Sequence, residues 1–144
     1  MKSVIELEVA RPRERVASLM ADPTLNTQWM DDIERIDPVR GDLGMPGSAY
    51  RIVPKRGSMI FIATVISADP LNTLHLSLDS AHISVDVRAT FRPIGPGRTM
   101  LVSEETFTFK GFLHRILGVF ARPAIKKAHR RHIEAFKRFA EAQA

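Results

Sequence analysis

At 144 residues, with 44% hydrophobic and 26% charged side chains, the chain has the size and balance of one globular domain over residues 1–144, which argues against disorder. It contains no cysteine, which excludes disulfides, thiolate metal sites and cysteine nucleophiles. The formal charge is +5, but residues 122–138 hold seven Lys or Arg against one Glu, so the basicity belongs to one segment rather than to the whole surface.

The opening MKSVIELEVARPRE lacks the apolar core of a signal peptide, and no apolar run approaches the roughly 20 residues that span a bilayer, so a soluble, cytoplasmic protein is expected. Residues 3–9, SVIELEV, set Ile5, Leu7 and Val9 against Val4, Glu6 and Glu8, the period of two of a strand with one apolar face. RPRERVASLMADP changes period: Pro12 suits a helix start, Val16, Leu19 and Met20 recur at helical spacing, and Asp22-Pro23 ends the run. Thr24 is the expected cap of a second, brief helical turn carrying Leu25, Gln28 and Trp29, the only tryptophan.

From residue 33 to 110 the turn clusters GDLGMPG, PKRG, ADPLN, DS and PIGPG separate β-rich runs: ERIDPV, SAYRIVP, MIFIATVISA, TLHLSLD, HISVDVRATF and TMLVSEETFTF. Leu74, Leu76 and Leu78 oppose His75, Ser77 and Asp79, and Ile83, Val85, Val87, Ala89 and Phe91 oppose Ser84, Asp86, Arg88 and Thr90. These runs predict an antiparallel meander with one buried face and His75 on the other. After Gly111 the period becomes 3.6, predicting a long C-terminal helix with a break expected near Pro123, which lacks a ladder donor.

The order of elements is joined by three motifs: V-x-x-L-M-x-D-P-x-x-N-x-x-W over residues 16–29, M-P-G-S-x-Y over residues 45–50, and ADPLNTLHL over residues 68–76. On these the whole chain resembles the START-related SRPBCC superfamily, and within it the polyketide cyclase/dehydrase-like and lipid-transport branch. The resemblance implies an α+β helix-grip fold, in which a bent antiparallel sheet of about seven strands wraps a long C-terminal helix and two short helices follow the first strand. It also implies a largely apolar cavity between sheet and helix that holds a lipid, polyketide or similar molecule. It implies no single chemistry, because members include enzymes, carriers and regulators. No cofactor and no metal is implied, since the iron ligands of the oxygenase members lie in elements that this short chain does not have.

On a helical wheel, His129, His132, Phe136 and Phe139 fall within about 40° of Ile125, and the strong charges of the helix fall on the far side. The basic face therefore reads first as the solvated back of a packed helix, with contact to an anionic membrane as a second reading. Nucleic acid or ribosome contact is disfavoured, because no aromatic ring lies among the cations to stack on bases. His129 and His132 read as satisfied core groups or as groups that meet a ligand carbonyl, and as acid or base near neutral pH; no third ligand to a metal is evident.

Glu104 and Glu105 are neighbours on a strand and point to opposite faces, so at most one enters the cavity; Glu105 does so if Phe107 and Phe109 face inward. It is then a candidate acid or base, beside the alternative of a glutamate paired with arginine at the cavity mouth. Trp29, Met30, Tyr50, Met59, Phe61, Phe91, Phe107, Phe112 and Phe136 are the bulky groups expected to line the pocket, or to be plain core, with Trp29 as wall or gate. Residues 111–120 are a second entrance candidate, as an apolar lid or a docked helix start. Ser58, Ser77, Ser84 and Ser103 lack the setting of a hydrolase nucleophile, and GPG at residues 95–97 is a turn rather than a phosphate loop.

The expected function is binding of a hydrophobic small molecule by a carrier, as monomer or homodimer. The alternatives are a polyketide cyclase or dehydratase using Glu105, His129 or His132, and a regulator that meets RNA, ribosome or membrane through the basic helix face.

Overall fold

Strand β1 (Lys2–Val9) buries Ser3, Ile5 and Val9 and exposes Lys2, Val4 and Glu6, as its alternation requires. Helix α1 (Arg13–Ala21) follows Pro12 and buries Val16, Ala17 and Leu19. The next turn is capped by Asp22 and not by Thr24: Asp22 Oδ1 accepts from the Thr24 amide at 3.0 Å and from its hydroxyl at 2.6 Å. Asp22 stands at the cap position just before the turn, whereas Thr24 lies inside it and supplies the donors. A single 3₁₀ turn, Pro23–Leu25, leads into the short helix α2 (Asn26–Trp29). The computed structural model describes residues 1–57, 59–69 and 71–143; Ser58, and Pro70 of the ADPLN turn, lie outside the described residues.

Six further strands follow: β2 (Ile33–Arg40), β3 (Ala49–Pro54), β4 (Phe61–Asp69), β5 (Thr73–Asp79), β6 (Ile83–Gly95) and β7 (Arg98–Phe109). All pair antiparallel in the order β1-β7-β6-β5-β4-β3-β2, so the two short helices carry the chain from one edge of the sheet to the other. Proline is confined to places that need no second partner. Pro38 lies in the edge strand β2, and Pro93 lies in the part of β6 beyond Thr90, where only β7 is paired.

The C-terminal helix α3 (Phe112–Ala142) runs unbroken through Pro123. The expected break does not occur because this stretch is exposed: the carbonyl of Val119, which Pro123 deprives of a donor, belongs to an exposed residue and can be met by water. The far end of α3 is clamped to the β1–α1 connection. Lys137 Nζ donates to the Glu8 carbonyl at 2.6 Å, the Ala10 amide donates to Glu141 Oε2 at 2.7 Å, and the Arg11 guanidinium donates to the carbonyls of Glu141 and Gln143.

Two apolar clusters fill the concave side of the sheet. One joins β1, α1 and β5–β7 to α3 through Leu101, Phe91, Ile133, Phe136 and Ala140; the other joins β2, β3 and β4 through Ile33, Tyr50, Ile52, Ala63 and Val65. Leu76 and Ala68 touch both. Among the described residues no helix is long and apolar enough to cross a membrane.

Candidate functional site

Between the clusters, α2, the sheet and α3 leave a cavity of about 100 Å³. Strand register builds its floor, because Leu76, Val87 and Glu105 lie side by side across β5, β6 and β7, and Leu74, Ala89 and Ser103 form the next row. Ala89 and Ser103 are short, which helps keep that row from closing the space. Met20, Met30, Ile52, Leu78 and Ile133 complete the apolar wall, and Asn26, Trp29, Tyr50, Glu105 and His132 bring polar atoms to it.

The polar groups have distinct settings. Tyr50 is buried and hydrogen-bonded to Asn26; burial outweighs that bond and raises its hydroxyl above the usual value, so the phenol stays protonated. Burial also raises Glu105 to about 7, leaving it poised between acid and carboxylate at neutral pH. Among the described residues Trp29 Nε1 and His132 Nε2 are buried without a hydrogen bond; Asp32 Oδ1 lies 3.5 Å from that histidine nitrogen, outside bonding geometry. The Trp29 ring is held edge-on against Phe136, with centroids 5.2 Å apart and planes at 76°.

The structure separates the two histidines. His132 lines the cavity, whereas His129 is sealed between helix and sheet: its Nδ1 is 2.8 Å from Ser3 Oγ and its Nε2 is 2.9 Å from Ser103 Oγ. Burial, with smaller contributions from His132 and Arg130, lowers His129 to about 4, so it is neutral at pH 7 and its two nitrogens act as one donor and one acceptor. Glu105 Oε2 lies 3.5 Å from His129 Nε2, so Glu105 joins Ser103 in linking this network to the cavity.

Of the other candidates, Trp29 and Tyr50 are brought to the cavity and the phenylalanines are not. Phe91 and Phe136 are buried in the first cluster, and Phe61 packs beside the second. Phe107 lies near Met1 and Arg115 in a separate hollow, and Phe112 is 80% exposed at the start of α3. For Phe91 and Phe107 the reason is position along the strand: both share the inward phase but lie one row beyond the lining residues of β6 and β7, whereas Phe112 lies on the outward side of α3. Residues 111–120 do not cover the cavity either. Glu105 is the inward member of its pair, with His129 as its neighbour at 3.5 Å, while Glu104 faces out and pairs with Lys2 at 2.6 Å. His75 pairs with Asp86 at 2.6 Å, on the opposite side of the sheet from the leucines of β5.

Asn26 is a polar lining residue that sequence reasoning missed. Its signal lay in N-x-x-W, since residues three apart on a helix share a face and Trp29 was already a candidate. Among the described residues no cluster of three His, Asp or Glu has the geometry of a metal site.

No protein-family model and no curated protein sequence matches the chain. The fold is shared with solved structures along nearly its whole length. A protein of Thermus thermophilus superposes with a TM-score of 0.76 at 14% identity, covering 99% of this chain and 98% of that one. Truncated norcoclaurine synthase from Thalictrum flavum gives 0.73 at 15% identity, covering 100% and 96%. A START superfamily protein from Mycobacterium smegmatis gives 0.71 at 22% identity, covering 97% and 94%. A bent seven-stranded antiparallel sheet with a long terminal helix is the helix-grip fold, and the chain shares it with these structures.

Proposed function

We propose that the protein binds a hydrophobic small molecule, about one or two rings in size, in the cavity under α3. The observation that carries this reading is the pair of buried ring nitrogens without a hydrogen bond among the described residues, Trp29 Nε1 and His132 Nε2, on residues that line a mostly apolar wall. A buried polar atom without a partner costs about 1–3 kcal/mol, which a ligand oxygen can recover. The size argues for a compact ligand: a diacyl lipid needs several times the 100 Å³ present. Norcoclaurine synthase, of the same fold, has been solved in complex with dopamine and hydroxybenzaldehyde, both single-ring molecules.

Trp29 is the only tryptophan, so its fluorescence reports the cavity directly. Titration with dansylamide, a two-ring fluorophore that accepts energy from tryptophan, is expected to give saturable energy transfer from Trp29. Val87→Phe fills the cavity floor and is expected to abolish the transfer while the protein stays folded. Transfer that persists undiminished in folded Val87→Phe overturns the reading.

A second reading, favoured by Glu105 alone, is an enzyme of the polyketide cyclase or dehydratase type. A carboxyl near 7 at the wall of an apolar cavity is suited to moving a proton to or from carbon or oxygen. In that case Glu105→Gln keeps probe binding and loses turnover at least 100-fold.

A further inference from the structure

On a helix that packs against a sheet, the large apolar side chains face inward. The first turns of α3 reverse this pattern. Gly118 is buried, with His114 and Ala121 half-buried beside it, while Phe112 and Phe120 are 80% and 79% exposed and Leu113, Leu117 and Val119 are more than half exposed. The inward position cannot exchange places with them, because a Cβ on Gly118 would lie 2.7 Å from the Phe109 ring. These apolar residues are not core that failed to dock.

Further along the same outward face the chemistry changes to cations. At 100° per residue, Phe112, Ile116, Val119, Phe120, Lys127 and Arg130 fall within about 50° of one direction. Among the described residues, Arg122, Lys126, Lys127 and Arg131 make no ion pair, and Arg130 has only a 3.9 Å contact to Glu134. We infer that residues 112–131 of α3 form a docking surface for an anionic membrane, with the apolar turns entering the interface and the cations lying against the lipid phosphates. A second copy of the chain would cover the phenylalanines but leave the adjoining cations without counter-charge. An anionic bilayer supplies both. The inference stands apart from the cavity and does not depend on what the cavity holds.

Flotation of the full chain with vesicles tests it, comparing equimolar phosphatidylcholine and phosphatidylglycerol with phosphatidylcholine alone. Binding is expected on the anionic vesicles and at least tenfold weaker on the neutral ones, falling steeply with salt. Phe112→Ser with Phe120→Ser, both at exposed positions, is expected to weaken binding at least tenfold without changing the melting temperature. Lys126→Gln with Lys127→Gln weakens it by roughly fivefold per cation. Two outcomes overturn the inference. One is vesicle binding that the phenylalanine variant leaves intact, which marks a general polyanion surface. The other is no vesicle binding together with a dimer, seen in sedimentation, that the same variant dissolves, which marks a second copy as the occupant.

Discussion

The two halves of α3 share one helix axis and obey different rules. In the second half the inward line His129, Ile133, Phe136 and Ala140 is buried, and the end is clamped to β1 and α1 by Lys137, Glu141 and Arg11. In the first half only Gly118 is buried, and the docking contacts are Gly118 on Phe109 and a stack of His114 on His82, with centroids 4.3 Å apart. Helix propensity does not explain the difference, since both halves are helical. What differs is the area removed from water, and with it the share each half has in global stability.

The sharpest way to break this comparison is truncation of one ring in each half. Phe136→Ala removes a fully buried ring that also supports Trp29, and it is expected to cost about 3–5 kcal/mol in chemical denaturation. Phe120→Ala is expected to stay within about 0.5 kcal/mol of wild type. Equal losses from the two variants would mean that the first half is as firmly docked as the second.

The second half also buries groups that titrate. The folded chain raises Glu105 to about 7 from 4.5, so it holds that proton more tightly than the unfolded chain does. Its contribution to stability is complete below about 4.5 and is lost as pH rises through about 7. Glu105→Gln removes the loss and is expected to raise stability near pH 8 by on the order of 3 kcal/mol, with no gain near pH 4. His129 has the opposite sign: lowered to about 4 from 6.5, its contribution is present above about 6.5 and is lost as pH falls through about 4. The two slopes oppose each other between about 4.5 and 6.5. Wild type is therefore expected to be flat in that window, and Glu105→Gln to gain stability with rising pH; denaturant midpoints across pH check both.

A smaller change isolates the network around His129. Ser103→Ala takes the hydroxyl from His129 Nε2 at 2.9 Å and leaves Glu105 at 3.5 Å as the remaining neighbour. The expected loss is about 1–3 kcal/mol, the range for a buried polar atom left unpaired. Calorimetry of the variant measures it, and a change under a few tenths would show that the carboxyl moves in to replace the hydroxyl.

The strand order and the inward faces were legible because period two and turn clusters report directly on which side chains meet the core. Glu105 was legible for the same reason, by parity with its neighbours. The split between His129 and His132 was not: both fall on the apolar side of the wheel, and which one is sealed depends on where Ser3 of β1 and Ser103 of β7 come to lie beneath the helix. Phe91 and Phe107 missed the cavity for a related reason, since a pattern gives the face of an element and not the height along it, while Phe112 missed it by facing outward. The outward phenylalanines of α3 were visible as letters, but the wheel was centred on Ile125 and described the second half.

Pro123, in the exposed first half, offers the finest test of how far the two halves are one unit. Its ring removes one hydrogen bond from the ladder, and in a packed helix interior replacing proline by alanine gains about 3 kcal/mol. Here the residues around it are exposed, so first-half opening is expected to precede global unfolding rather than coincide with it. Pro123→Ala should then raise hydrogen-exchange protection of amides near residues 119–125 while moving the global denaturation midpoint by less than about 0.5 kcal/mol in free energy. A full gain in global stability would show that the proline strains the whole helix and that the two halves unfold together. Protection without that gain would place the boundary between the halves within the turn that holds the proline.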